Sequence, residues 1–284
     1  MSCFSRLHAP VLALAIVSAA AAQQQPTPLY KVQVVDTTTI AVNYGNRQLP
    51  TKINFQGTVL LPYVKGEATV FSRKGATQIS AKLEGLQDPA RFGGQYLTYV
   101  LWVLTPNGRA TNLGQLVPGH NNKASLKTTT ELQTFALVIT AEPYYAVTEP
   151  SNVVVGENIL HPETQGRVET VKINAQLLNR GEVKYDTASA AAVDKAPQKM
   201  VTMQEYEALL ELYQAQNALY RAQEAGADQH ATEIYSKAQS LIDEARRQHE
   251  SKAFKQVVAT SRQATQTAED ARLVAQKKPR PPAE

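Results

Sequence analysis

The chain has 284 residues, of which 43% are hydrophobic and 19% are charged, and its formal net charge is +4. This length allows two modest domains. The 29 basic residues are scattered among 25 acidic ones instead of forming a basic run, which argues against a nucleic-acid-binding protein.

The N-terminus has the pattern of a secretory signal peptide. Arg6 precedes the apolar run Val11–Val17, and Ala20–Ala22 provides a small-residue cleavage site, so we expect a signal peptide over residues 1–22 and a mature start at Gln23. The apolar run is shorter than the roughly 20 residues that span a bilayer. We therefore expect a periplasmic or cell-envelope protein without a transmembrane span after cleavage. The alternative is an uncleaved helix lying in the membrane interface.

Cysteine usage excludes disulfide and thiol chemistry in the mature chain. Cys3 is the only cysteine and lies within the predicted signal peptide. A lipid anchor would require a cysteine at the cleavage point, where this chain has none. The stability of the mature protein must then come from packing.

The first half of the mature chain has β-strand patterns. After a Gln/Pro leader at residues 23–28, which is disordered or extended by composition, we expect a β-domain over residues 29–185. The stretch Leu97–Leu104 is apolar at nearly every position and predicts a strand buried on both faces, with Trp102 as a core anchor. Phe135–Ala141 predicts a second core strand.

Shorter strands surround these two. They are predicted at Leu29–Val35, Thr38–Val42, Gly66–Ser72, Gln78–Leu83, Val153–Val155 and Val168–Leu177, whereas Val59–Leu61 is a short apolar stretch ended by Pro62. Short strands separated by turn signals, without helical periods between them, indicate an immunoglobulin-like antiparallel β-sandwich.

The period changes after a predicted linker at residues 186–199, and residues 200–276 predict an antiparallel three-helix domain. Gly226 is expected to end the first helix, and Asp228 and Ser251 to cap the next two. Residues 277–284 predict a flexible basic tail. Apolar and small residues recur every three or four positions at Ala208, Leu212, Ala215, Leu219 and Ala222, then at Ala231, Tyr235, Ala238, Ile242 and Ala245, and finally at Phe254, Val257, Ser261, Ala264, Ala268, Ala271 and Ala275.

The sequence contains no recognisable catalytic or cofactor-binding motif, so we expect neither an enzyme nor a cofactor or metal site. The mature chain's histidines, His120, His161, His230 and His249, do not have metal-ligand spacing. The segment His161-Pro162-Glu163 is typical of a surface loop, with a catalytic base or ligand as the alternative.

Tyr144 and Tyr145, which follow Pro143, are the best candidate partner contact, because tyrosines on loops are enriched at interfaces. The alternative is that one ring packs on the sandwich edge. Glu142 ends a core strand and is either a hydrogen-bonded strand-end carboxylate or a ligand contact. In the first helix, Tyr206, Leu209 and Tyr213 flank the seam and supply either extra packing or a partner face. An unpaired seam on any helix would also permit dimerisation.

The segment from Gly66 to Pro150 resembles the extracytoplasmic domain of anti-sigma-K factors. The matching residues are Ala68-Thr69-Val70, Gly85-Leu86, Tyr99-Val100-Leu101-Trp102, Gly108, Leu113-Gly114, Thr140-Ala141-Glu142-Pro143, Thr148 and Pro150. The resemblance implies a β-sandwich outside the membrane. It does not carry over the regulatory activity, because the chain lacks the sigma-binding domain and membrane helix of that family.

The last 80 residues resemble an uncharacterised alanine-rich helical domain of bacterial envelope proteins, which often precedes peptidoglycan-binding OmpA-type domains. The matching residues are Ala222–Ala227, Tyr235–Ala238 and Ala264–Ala271. The resemblance implies a protein or cell-wall partner.

Together these features predict a non-catalytic envelope protein that binds or scaffolds in the periplasm. One alternative is a soluble sensor or regulatory module that docks on a membrane signalling partner. A hydrolytic enzyme is the alternative from another class, and it would require a cleft with a perturbed carboxylate or histidine, near His161 or Glu142.

Overall fold

The structure is a computed structural model that describes residues 38–45, 49–73, 75–119, 121–164, 167–172 and 202–277. The predicted signal peptide, leader, first strand and linker lie outside these ranges, as do His120 and the tail from residue 278.

The described N-terminal part is an antiparallel β-structure, in agreement with the predicted class. Seven of its ten described strands overlap segments that were predicted as strands, three were not predicted, and every pairing between the strands is antiparallel. They are β1 (Thr38–Asn43), β2 (Thr51–Gly57), β3 (Lys65–Arg73), β4 (Ala76–Glu84), β5 (Thr98–Leu104), β6 (Ala110–Leu116), β7 (Ala124–Thr130), β8 (Thr134–Glu142), β9 (Val154–Leu160) and β10 (Arg167–Lys172).

The sheet bends until it almost closes on itself. Its order is β10-β1-β8-β9-β2-β3-β4-β7, while β5 pairs with β8 on one side and with β6 on the other. The edge strands β6 and β7 then meet, and the Thr128 hydroxyl on β7 donates a 3.0 Å hydrogen bond to the Leu113 carbonyl on β6. The inward-facing residues fill the enclosed space with an apolar core.

Strands β5 and β8 are buried on both faces, which confirms the prediction for Leu97–Leu104. Tyr99, Leu101 and Val103 point into the enclosed core, whereas Val100, Trp102 and Leu104 belong to a second apolar cluster on the outer face. Because side chains alternate along a strand, a strand with apolar residues at every position requires a cover on each side.

The C-terminal part supplies that cover and consists of four helices: α1 (Met203–Glu224), the single turn α2 (Ala227–His230), α3 (Thr232–Glu250) and α4 (Phe254–Gln276). The predicted seams are confirmed, because their alanines, Leu212, Ile242, Val257 and Ser261 are buried. The outer-face cluster contains Ala218, Ala238 and Ala268, one from each long helix, together with Trp102. All described residues fall within one compact unit.

The helix ends differ partly from expectation. Gly226 has a left-handed backbone (φ 80°) after α1, as predicted for a terminating glycine. Asp228 does not cap α3, because it lies inside α2. Ser251 does not cap α4 either: it follows the last turn of α3, where its hydroxyl donates to the carbonyl of Gln248 (2.9 Å), which also accepts the Ala253 N–H (2.9 Å).

Candidate interaction sites

The connection from β8 to β9, residues 143–153, is the segment on which the helices dock. The Tyr144 hydroxyl donates a 2.6 Å hydrogen bond to Glu269 Oε2 on α4. The Tyr145 hydroxyl donates to the Arg262 carbonyl (2.9 Å), and the Arg262 guanidinium lies over the Tyr145 ring, 4.3 Å from its centroid. Two adjacent tyrosines are therefore bound by one helix of the same chain.

An ion pair forms the centre of this contact. Arg272 donates from Nε and Nη2 to the two carboxylate oxygens of Glu269, each at 2.7 Å, and Thr148 donates to Glu269 Oε1 at 2.9 Å. Glu269 is fully buried. Burial is the largest single influence on the pKa of Glu269 and acts to raise it. The hydrogen bonds and the positive charge of Arg272, together with the hydrogen bonds from the Tyr144 and Thr148 hydroxyls, outweigh burial and hold that pKa below its usual value.

Helix α1 also forms hydrogen bonds with the β8–β9 connection. The Tyr145 backbone N–H donates to Gln214 Oε1 (2.8 Å), and the Asn217 amide donates to the carbonyls of Gln95 (3.2 Å) and Pro143 (3.4 Å). We call this set of contacts the junction; its residues are Pro143, Tyr144, Tyr145, Thr148, Gln214, Asn217, Arg262, Glu269 and Arg272.

Glu142 and Trp102 lie beneath the junction in a buried polar chain. The Trp102 indole N–H donates to Thr140 Oγ1 (2.8 Å), and the Thr140 hydroxyl donates to Glu142 Oε1, which also accepts the Ser151 backbone N–H (2.6 Å). The Glu142 carboxylate thus links the end of β8 to Ser151, near the end of the β8–β9 connection. The structure brings Glu142, Tyr144 and Tyr145 close together. The two tyrosines contact the helices of their own chain, whereas Glu142 is bound by Thr140 and Ser151, and only Tyr145 keeps some exposed surface.

Helix α1 presents a row of tyrosines to solvent. Tyr206, Tyr213 and Tyr220 are 48%, 48% and 39% exposed, and they lie seven residues apart. Burial, and then the charge of Asp88 in the β4–β5 connection, raise the pKa of the Tyr206 hydroxyl. We call these three side chains the tyrosine face. It contains Tyr206 and Tyr213, which the sequence indicated as packing residues or a partner face.

The β2–β3 loop, residues 58–64, holds the most exposed large apolar side chains of the described part of the chain. Val59 is 91% exposed and Tyr63 is 77% exposed. Between them Leu61 is buried and anchors the loop in the enclosed core. Lys65 and Lys123 flank the loop and both pair with Glu84, at 3.9 Å and 2.6 Å.

The backbone of this loop is fixed by local contacts. The Thr58 hydroxyl donates to the Val154 carbonyl (2.7 Å) and accepts the Leu60 N–H (3.2 Å). A Cβ atom at Gly57 would lie 2.1 Å from the Leu61 carbonyl oxygen, and one at Gly85 would lie 2.2 Å from that of Tyr63, so both close approaches require glycine. These backbone contacts therefore keep the Val59 and Tyr63 side chains exposed to solvent.

The loop with His161 contains a surface ion-pair cluster. His161 Nδ1 accepts the Glu163 backbone N–H (2.9 Å), while Lys52 lies 3.6 Å from both Glu67 and Glu163. Among the described residues, no group of three His, Cys, Asp or Glu side chains is placed to hold a metal ion. No described helix has the length and apolarity needed to cross a membrane.

Two features of these sites were not recognised from the sequence. The partners of Tyr144 and Tyr145 lie on helices 69 to 125 residues later, and their only local signal is the Glu269–Arg272 pair at i, i+3 beside the alanine seam. The β2–β3 loop had a clearer signal, since Val59-Leu60-Leu61-Pro62-Tyr63 is an apolar run that ends at a proline and cannot continue as a central strand.

No protein-family model matches this sequence, and no curated protein is significantly similar to it.

Proposed function

We propose that this chain is a non-catalytic, secreted cell-envelope protein that binds or scaffolds in the periplasm, with an immunoglobulin-like sandwich as its framework. The observation that carries the proposal is the β2–β3 loop, in which a fixed backbone displays Val59 and Tyr63 to solvent. Exposing apolar side chains in water stabilises nothing in the folded protein, so a loop built to keep them exposed favours a binding role.

The surroundings of the buried acids support a non-catalytic protein. Glu269 is enclosed by Arg272 and two hydroxyls, and Glu211 is held by Arg262 at 2.9 Å between the helices. These carboxylates lie in intramolecular contacts and not in an open cleft, where a catalytic acid or base must meet its substrate. The predicted signal peptide and the resemblance to envelope domains support a location outside the cytoplasm.

The test is fractionation of source cells with an antibody to the mature chain, comparing the native protein with the double variant Val59→Ser/Tyr63→Ser. The envelope pellet is washed with high salt and then with mild detergent. We expect the native chain to stay with the purified cell wall or a wall-bound protein, and the variant to enter the soluble fraction severalfold more. Val274→Ser, which removes an exposed apolar side chain from α4, is the matched control.

Three results would contradict the proposal: release of the native chain into the soluble periplasm, equal retention of the double variant, or equal release of the control. Retention on the inner membrane that resists salt but not detergent would favour the second candidate, a sensor module docked on a membrane signalling partner. The lysines beside the loop, Lys65 and Lys123, are the observation in favour of that candidate, because basic residues favour anionic membrane surfaces.

A further inference from the structure

The two sides of the sheet differ in their outer surfaces. On one side, Val100 and Trp102 of β5 are apolar and belong to the cluster that the helices cover. On the other side, the outward-facing side chains of β3, β4 and β7 are mostly polar, and none of those that the structure describes is buried. This second outer face contains one aromatic ring, Phe71 of β3, which is partly buried.

Cross-strand pairing gathers the surroundings of Phe71 into a cavity of about 520 Å³. Its outward-facing side chains form two rows across the three strands, Thr69–Ser80–Lys127 and Phe71–Gln78–Thr129. An aromatic ring thus lies beside hydroxyls, an amide and one ammonium group. Lys127 is the only ionisable residue among the described residues that line this cavity, and it forms no ion pair with any of the residues that the structure describes.

The same face ends at the β2–β3 loop in a second cavity of about 490 Å³. Its lining includes the exposed ring of Tyr63, the exposed Asn121 and Asn122, and the charged residues Lys65, Lys123 and Glu84. The two lysines share one carboxylate, so this cavity also has an excess of positive charge.

The two cavities and the strand face between them form one continuous surface, which we call the outer groove. From Lys65 to Phe71 it follows β3 for about 20 Å. Between the cavities, Lys82 of β4 is exposed and has no ion-pair partner in the described part of the chain. The outer groove is therefore elongated and positively charged, with an aromatic ring at each end.

This combination fits a chain of sugars that carries acidic groups. A sugar ring has a C–H face that packs on an aromatic ring, and its hydroxyls exchange hydrogen bonds with hydroxyl and amide side chains. We propose that the outer groove binds a carboxylate-bearing glycan strand of the cell wall, with sugars at Tyr63 and Phe71 and carboxylates at Lys82 and Lys127. The inference rests on the proposed envelope-binding function and names its partner.

The composition and shape of the outer groove favour a glycan over other anionic partners. An acidic peptide binds tightly through side chains that fill desolvated pockets, whereas this groove is open and lined mainly by polar groups. A membrane surface is too broad to enter either cavity.

Co-sedimentation of the purified chain with protein-free cell wall tests the proposal, and chitin is the uncharged glycan control. The native chain should bind the cell wall and not chitin, and high salt should weaken that binding. Lys82→Gln/Lys127→Gln should raise the dissociation constant about fivefold. Phe71→Leu, which keeps an apolar side chain but removes the ring, should raise it about threefold. Lys237→Gln/Lys255→Gln removes the same charge from exposed positions on the helices and should bind like the native chain.

Far-UV circular dichroism checks that each variant is folded. Equal binding of the two double-lysine variants, or equal binding of chitin and cell wall by the native chain, would overturn the proposal. So would displacement of the bound chain by poly-glutamate, or binding to anionic lipid vesicles without binding to cell wall, since these results indicate a peptide or a membrane partner.

The outcome is separable from that of the fractionation experiment. A chain that stays with the envelope in cells but ignores protein-free cell wall would keep the envelope-binding proposal and exclude the glycan. A chain that binds protein-free cell wall but is released into the soluble periplasm would do the reverse.

Discussion

Two buried carboxylates, Glu269 and Glu211, lie in opposite electrostatic environments: folding lowers the pKa of Glu269 and raises that of Glu211. Glu269 has both oxygens paired, by Arg272 and by the Tyr144 and Thr148 hydroxyls. Glu211 accepts one hydrogen bond from Arg262, and its other oxygen has no partner. Burial therefore dominates at Glu211 and, with the charge of Glu207, raises its pKa against the attraction of Arg262.

Glu269→Gln should destabilise the protein by about 3–5 kcal/mol, because it leaves the Arg272 charge buried without its counter-ion. The measurement is the free energy of unfolding in urea at neutral pH. The neighbouring Asp270→Asn removes an exposed carboxylate and should change that free energy by less than about 0.5 kcal/mol. Equal effects of the two variants would show that the ion pair does not support the junction.

Glu211→Gln should leave stability at pH 7 unchanged or raise it, and should alter its pH dependence. The pKa of Glu211 is higher in the folded than in the unfolded state. The stability that Glu211 contributes is therefore fully present at pH values below its unfolded pKa of about 4.3, and it is lost as the pH rises from there through the folded pKa. Glu269, with its pKa lowered by folding, has the opposite sign and loses its contribution as pH falls below about 4.3.

The measurement for Glu211 is unfolding free energy against pH, comparing the variant with the native chain. The native curve should fall relative to the variant curve as pH rises above about 4.3. Parallel curves throughout would contradict the assignment of Glu211 as a carboxylate that burial disfavours.

The β2–β3 loop shows how a single element depends on the backbone around it. Gly85 and Gly75 have nearly the same left-handed conformation, with φ of 81° and 87°. A Cβ at Gly85 would lie 2.2 Å from the Tyr63 carbonyl oxygen, whereas one at Gly75 would meet nothing within 4 Å. The pair separates the effect of backbone conformation from that of the close approach.

Gly75→Ala should therefore destabilise by about 1 kcal/mol, from the left-handed conformation alone. Gly85→Ala should cost about 2 kcal/mol more, because the loop must shift to admit the methyl group. The difference between the two unfolding free energies measures how firmly the loop is held. Equal losses would mean that the loop moves freely and does not hold Val59 and Tyr63 in place.

Local patterns were enough to predict most elements. The alternation of Ile79, Ala81 and Leu83 places one face of β4 in the core, and the alanine spacing of α4 corresponds to its buried seam. Helix ends were less predictable, because the Ser251 hydroxyl can bond a carbonyl in the last turn of α3 as readily as it could cap the start of α4.

At the scale of the whole molecule, the junction makes the β-structure and the helices mutually dependent. It contains a buried ion pair and side-chain hydrogen bonds to four backbone positions, and it lies beside the cluster that encloses Trp102. The sequence predicted two regions of different periodicity, but it could not predict that they share a surface. Periodicity reports which face of an element is buried, and not which distant element covers it.

The two regions should consequently unfold in one transition. Trp102, the only tryptophan, lies between the sheet and the helices, so its fluorescence reports on their contact, while far-UV circular dichroism is dominated by the helices. The two urea curves of the native protein should have the same midpoint. Distinct midpoints would mean that the contact between sheet and helices and the helices themselves are lost separately, and would contradict a shared cooperative unit.

The apolar outer face of β5 and β8 also has a consequence for biosynthesis. Strand β10 ends at Lys172, but the helix that binds Tyr144 and Tyr145 ends only at Gln276. During synthesis, the nascent chain can thus complete the described strand pairings about a hundred residues before the outer surface of the sheet is covered. Val100, Trp102 and Leu104 would meet solvent throughout that interval, and the nascent chain would depend on a holding chaperone until α4 has been synthesised.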